Sequence, residues 1–159
     1  MRSLDSYFSF EGIEMGRAMD NDIDTLVAVI NSSYAYQDNV KGTQRTNQRD
    51  LRKRIAETDF YVLRDGSLII GCIYIKPDKT KLHFGLLTLE PSYRGKGIAA
   101  AIISAMESFG KANQFGALEL DYMSLAPWLN NYYKKYGFTA TGEVFHWGEM
   151  DLLRMSKTL

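Results

Sequence analysis

The sequence predicts a mixed α/β layer fold built as one domain over residues 1–159. Three observations predict it. The length and a 45% apolar share suit one hydrophobic core, while 24% charged residues and 13% aromatics exclude a disordered chain. Short runs rich in β-branched and aromatic residues alternate with segments of helical periodicity. No linker, internal repeat or low-complexity tract separates them.

The elements follow in order. A strand is expected over Ile13–Ala18, then a helix opened by Asp20-Asn21-Asp22 that carries Ile23, Leu26, Val27 and Ile30 at helical spacing. Residues 35–46 are polar and irregular. A second helix starts near Thr46 or Asn47 and runs to about Glu57, with Leu51 and Ile55 inward. Phe60–Leu63, Asp65-Gly66 and Leu68–Ile75 read as strand, tight turn and strand. Pro77-Asp78-Lys79-Thr80 turns the chain into a strand over Lys81–Leu89, and the three prolines act as punctuation between segments. A glycine-rich turn opens a long helix from Ile98 to about Asn113, with Ile102, Ile103, Met106 and Phe109 on one face. A strand over Ala117–Tyr122, a short helix from Pro127 closed by Gly137, and strands over Phe138–Phe145 and Met150–Met155 complete the chain.

Charge and cysteine usage narrow the function classes. Nineteen Lys+Arg balance nineteen Asp+Glu, so the surplus of cations that gripping nucleic acid requires is missing. Cys72 alone can form neither an internal disulfide nor a cysteine-based metal site, and it reads as a small core residue in a reducing compartment. His83 and His146 are far apart, so no metal site is expected. The N-terminus lacks the apolar run of a secretory signal, and the nearly apolar stretch Gly97 to Met106 is about half a membrane span. A cytoplasmic protein with no membrane or nucleic-acid partner is expected.

The most informative segment is Leu86 to Ala100, where a strand runs through Glu90-Pro91-Ser92-Tyr93-Arg94-Gly95-Lys96-Gly97 into a helix N-terminus. Glycines let the backbone approach a ligand and point N–H groups outward, and a helix start adds unpaired donors and partial positive charge. Arg94 and Lys96 add formal charge, so the turn suits a pyrophosphate. Gly95-x-Gly97-x-x-Ala100 also matches a dinucleotide fingerprint, with Glu119 or Asp121 as the ribose-binding acid. Against that reading, Glu90–Arg94 intervene after the strand, and too little chain follows Asp121 for the remaining parallel strands. The bland alternative is a glycine loop that merely starts a helix.

The segment resembles the acyl-CoA signature of the GNAT superfamily of N-acetyltransferases: Arg94-x-x-Gly97-x-Ala99, preceded by Leu87-x-Leu89-x-Pro91. A second block of that family is similar to Tyr133-Lys134-Lys135-Tyr136-Gly137-Phe138. The element order agrees over nearly the whole chain. The resemblance implies the acyl-CoA N-acyltransferase fold, a mostly antiparallel sheet flanked by helices. It implies acetyl-CoA as cosubstrate, without a metal, and direct transfer of the acetyl group to a primary amine. The alternative is a sensor of the same fold that binds acyl-CoA without turnover.

Carried onto residues, the resemblance places the pantetheine arm against the backbone of Leu87, Thr88 and Leu89, with an oxyanion donor near Leu89. The pyrophosphate falls on Arg94, Gly95, Lys96, Gly97, Ile98 and Ala99. Tyr133 is the implied general acid for the leaving thiolate; otherwise it packs with Tyr132 and Tyr136 in a short amphipathic helix. His83, eleven residues before Arg94, stands by ungapped counting where histone-acetylating relatives carry a basic glutamate. It is the candidate base, with a water relay as the alternative. Ala126 replaces an asparagine that many relatives hold seven residues before the tyrosine, so that contact is not carried over.

Glu119 and Asp121 share one strand face, read as solvated or as lining the acceptor side. Lys41, Arg45, Arg49, Arg52, Lys53 and Arg54 outnumber Asp50, forming either a solvated helix face or an electropositive rim for an acidic amine. Residues 35–46 and 145–149, with His146 and Trp147, are expected to shape the acceptor pocket. The acceptor itself is left open, and a homodimer through edge strands near the C-terminus is compatible with the sequence.

Overall fold

The protein is described here by a computed structural model covering residues 2–38 and 44–159. Strand β1 (Glu14–Arg17) leads into helix α1 (Ile23–Ser33), and α2 (Gln48–Glu57) follows. Three strands come next: β2 (Asp59–Asp65), β3 (Leu68–Asp78) and β4 (Lys81–Leu89). Helix α3 (Ile98–Ala112) crosses over to β5 (Ala117–Met123), and α4 (Trp128–Lys134) precedes β6 (Thr139–Trp147) and β7 (Met150–Thr158). The strands form one seven-stranded sheet in the order β1-β2-β3-β4-β5-β7-β6. Every neighbouring pair is antiparallel except β4 with β5. This is the mostly antiparallel sheet flanked by helices that the resemblance implies, and it leaves no place for the doubly wound dinucleotide fold.

The two sheet faces follow from the two-residue period of strands. Tyr61 and Leu63 of β2 point into one core, built on Ile102, Ile103, Met106 and Phe109 of α3. Phe60 and Val62 point into the other, built on Leu26 and Ile30 of α1 and Leu51 of α2. Covered on both faces, β3 is buried without interruption from Ile69 to Ile75, as its continuous apolar run requires. Asn47 caps α2 by accepting the Asp50 N–H at 2.8 Å, which fixes the start expected from the sequence. In α1 the inward residue is Val29, with Val27 left partly exposed. No helix among the described residues is long and apolar enough to cross a membrane.

Two turns differ from expectation. Asp65 pairs with Leu68, so the hairpin turn is Gly66-Ser67, with Gly66 taking the positive φ of 59°. Pro77 is not punctuation: β3 continues through it, opposite Leu82, and the reversal is made by Lys79 and Thr80 with Lys79 at φ 56°. It stands near the strand's end on an exposed stretch, a place that tolerates a residue without an N–H. Lys41 of the basic run, and residues 39–43 of the polar stretch, lie outside the described residues.

The contact between β3 and β4 is closest at Gly71, where an added Cβ would stand 2.2 Å from the Thr88 carbonyl oxygen, a backbone atom that cannot swing aside. Gly71→Ala is expected to cost about 2 kcal/mol and to lower Tm by about 4–8 °C, read by thermal and urea unfolding. An unchanged Tm would show that the two strands are less tightly apposed.

Candidate active site

Strands β4 and β5 run parallel for only three paired positions: Lys81 with Ala117, Leu82 with Leu118, and His83 with Glu119. Beyond them each strand keeps only its outer partner, β4 staying with β3 as far as Leu89 and β5 with β7 as far as Met123. The sheet therefore opens between them. The β5-facing edge of β4 from Phe84 onward has no strand partner, leaving main-chain groups for an extended ligand. A cavity of about 300 Å³ occupies the opening, with Phe84, Leu87, Leu120, Tyr122 and Tyr133 in its walls.

Inside this edge β4 is irregular. Cys72 pairs with Thr88 and Tyr74 with Gly85, so Leu86 and Leu87 together stand opposite Ile73. This is a β-bulge, which unpairs and re-aims backbone groups. Leu86 takes a positive φ of 52° to make it. Its carbonyl is held by the Thr88 hydroxyl at 2.9 Å and the Cys72 thiol at 3.4 Å. The bulge lies two to three residues before Leu89, near which the resemblance puts the backbone donor. The signal available was Gly85, a lone glycine in a strand, which lets the Tyr74 ring pack against the backbone. Cys72 is fully buried, and burial pushes its thiol up to about 12, so it acts as packing and hydrogen-bond donor.

The glycine turn stands at the far end of the same edge. Gly95 and Gly97 adopt φ of 74° and 92°, a region that favours residues without a Cβ. The first bond of α3 runs from the Ala101 N–H to the Gly97 carbonyl, so the N–H groups of Ile98, Ala99 and Ala100 have no helical acceptor. Ile98 and Ala99 bury their side chains and present only backbone to this side. Arg94 donates from Nε to the Leu89 carbonyl at 3.0 Å, tying the turn to the strand. The Tyr93 hydroxyl donates to Asp65 at 2.6 Å, anchoring the turn to the β2–β3 hairpin, and Lys96 lies over the Tyr93 ring. The turn does not line the cavity; Leu87–Leu89 connect the two.

Tyr133, from α4, and His83, from β4, both face the cavity. Tyr133 is packed edge-on against Phe84, Phe138 and Tyr132. Burial, reinforced by neighbouring tyrosines, pushes its phenol well above its ordinary value, so it stays protonated. His83 stacks on Tyr74 and its side chain is 19% exposed. Burial lowers its pKa below the usual 6.5, against the opposing pull of Asp121 and Glu119, so the imidazole is neutral at pH 7.

Glu119 is not on a solvated face. It is 2% exposed and sits among Lys81 at 3.3 Å, Arg154 at 3.1 Å and His83 at 3.6 Å. Arg154 also grips Asp121 through two hydrogen bonds, at 2.9 and 3.1 Å. Asn130 donates to the Tyr122 hydroxyl at 3.1 Å and so fixes a wall of the cavity.

The opposite wall is aromatic and basic. Tyr34, Tyr74 and Trp147 line it together with Arg45 and Arg54. Trp147 lines the cavity, whereas His146 is exposed and pairs with Asp151 at 2.7 Å. Arg49, Arg52 and Lys53 are exposed, so the basic run divides into a solvated face and two cavity residues.

A family model described as an acetyltransferase (GNAT) domain matches residues 30–159. The fold is similar to PaiA N-acetyltransferase from Thermoplasma acidophilum, solved in complex with coenzyme A, with a TM-score of 0.72 and 19% identity. That likeness covers 92% of this chain and 99% of the other. It is similar also to ribosomal-protein-alanine N-acetyltransferase from Brucella melitensis, with a TM-score of 0.68, 15% identity, and 91% and 99% of the two chains covered. No curated protein matches the chain.

Removing Arg154 strips Glu119 and Asp121 of their main cation while Lys81 remains. Arg154→Met is expected to cost about 2–4 kcal/mol in urea unfolding at pH 7. Arg154→Lys, which keeps a cation at the same place, should cost clearly less; an equal cost for the two variants would mean that lost packing, not charge, is responsible.

Proposed function

The chain belongs to the GNAT acetyltransferase family, and from that premise we propose that it moves the acetyl group of acetyl-CoA directly to a primary amine. The observation that carries this reading is the opening between β4 and β5, with a glycine turn at one end and a protonated tyrosine at the other. The residues present fit acetyl-CoA on three counts. The unpaired β4 edge offers main-chain groups to the amide-bearing pantetheine arm. The N–H groups following Arg94 suit its pyrophosphate. Phe84, Leu87, Leu120 and Leu129 in the cavity wall give the thioester end an apolar surround.

Acetyl-CoA supplies an activated acyl carbonyl on a thiolate leaving group. The bulge at Leu86 and Leu87 is the candidate source of a backbone N–H for the oxygen that gains charge during attack. His83, neutral and near the opening's inner end, removes a proton from the ammonium form of the acceptor, directly or through water. As the amine nitrogen bonds to the carbonyl carbon and the carbon–sulfur bond breaks, the Tyr133 hydroxyl donates its proton to the departing sulfur, and the proton released by the acylated nitrogen restores the phenol, directly or through water. The products are the acetylated amine and free CoA thiol. Glu119, held between Lys81 and Arg154, positions His83 and does not itself reach the substrate.

The direct test is thiol release from acetyl-CoA over a broad amine panel, beside calorimetric binding of acetyl-CoA. Binding with transfer supports the reading; binding without transfer to any amine favours a sensor, and neither overturns both. Tyr133→Phe is expected to lower kcat about 10²-fold while leaving the acetyl-CoA Kd nearly unchanged. In wild type kcat/KM should fall as pH drops through a value below 6.5, because protonation removes the His83 base. His83→Gln should abolish that limb, and an unaltered profile would assign the proton to water.

A further inference from the structure

Two arginines of the basic run stand in the cavity wall. Arg54, in the last turn of α2, holds its guanidinium carbon 4.8 Å from the centre of the Tyr74 ring. Arg45, just before α2, lies over Tyr34 at 5.5 Å and Trp147 at 5.4 Å. Both line the cavity that holds Tyr133 and His83, and both line an adjoining hollow of about 270 Å³. Among the described residues Arg54 makes no ion pair. Asp121, the carboxylate in the same cavity, is already engaged by Arg154. Burial pulls Arg45 below its ordinary value, and the nearby charge of Arg54 adds to this.

The anion is not the phosphate of the cosubstrate by position, because the glycine turn lies at the other end of the β4 edge and outside this cavity. The spacing is informative as well. Tyr74 is shared: Arg54 lies over its ring, and His83 stacks on it with 6.5 Å between ring centres. A positive charge and a proton acceptor therefore flank a single aromatic ring. The guanidinium and the imidazole are thus within the reach of one small ligand that carries both an anionic group and an amine. A planar guanidinium is matched by a carboxylate through paired N–H donors.

We propose that the acceptor is a small amino acid, a primary amine that also bears a carboxylate, with Arg54 as its carboxylate-binding residue. This rests on the acetyl-transfer reading above. The aromatic wall of Tyr34, Tyr74 and Trp147 then packs on the acceptor body, and the amine points toward His83.

The test compares matched amines with and without the carboxylate: phenylalanine against phenethylamine, and leucine against isoamylamine. Thiol release is measured with each, using wild type, Arg54→Gln, and Arg49→Gln as a control on the exposed face of α2. The carboxylated member should have a kcat/KM about 10²-fold higher than its partner. Arg54→Gln should remove about tenfold or more of that preference through KM, and the acetyl-CoA Kd should not move. Arg49→Gln should change neither quantity. In parallel, N-acetylphenylalanine and N-acetylphenethylamine are titrated as binding probes, a readout that needs no turnover. Equal rates within each pair, or equal binding of the two probes, overturns the proposal. So does an Arg54→Gln variant that weakens acetyl-CoA binding instead of the acceptor. If acetyl-CoA neither binds nor is consumed with any amine, the acetyl-transfer reading itself fails.

Discussion

The parallel ladder between β4 and β5 stops after three pairs, and the site is built on that stop. A longer ladder would close the sheet and leave neither an open edge nor a cavity. The ladder ends where a carboxylate, Glu119, faces a histidine, His83, across it. Burying Glu119 obliges the chain to supply cations, and Lys81 and Arg154 meet that demand from the two adjacent strands. Arg154 sits on β7 opposite Asp121, so the same ion cluster joins the β5–β7 half of the sheet to the β4 half at the point of divergence. Such a cluster contributes little net stability but is costly to break, which makes it a means of fixing geometry.

The opening that begins at that cluster is held in shape by local strain. The β4 bulge needs Leu86 in a left-handed conformation, and Thr88 and Cys72 both bond its carbonyl. Gly71 and Gly85 let β3 and Tyr74 approach the bulged strand closely. Tyr133 is gripped by Phe84, Phe138 and Tyr132, so its hydroxyl is presented by a rigid aromatic cluster. Groups that must meet a reacting carbonyl within a few tenths of an ångström need such support.

How much of this was legible in the sequence depends on how local each cause is. Gly95 and Gly97 were readable because a positive φ at a helix start is a property of a few consecutive residues. The strand boundaries of β4 and the inward face of α3 were readable from periodicity alone, with β4 recovered at both ends. The bulge was not, since it depends on the register of β3, and Gly85 was its only trace. Glu119 was misread for a related reason. Alternation places it on a face but does not say that Lys81, Arg154 and His83 converge there from other strands. Counting charges along the chain likewise grouped Arg49, Arg52 and Arg54 in one basic run, as a solvated face or as a rim for the acceptor. Only the position of Tyr74, on a strand some twenty residues later in the chain, turns Arg54 into the cavity.

The central claim is that acetyl-CoA lies along the open edge of β4 with its phosphates on the glycine turn. Amide hydrogen exchange, read residue by residue with and without saturating acetyl-CoA, tests it most directly. Acetyl-CoA bound there slows exchange along Phe84–Leu89 and Gly95–Ala100 and leaves β1 and β6 unchanged. Slowing confined to other elements, or none in β4 and the turn when the ligand is bound, would contradict it.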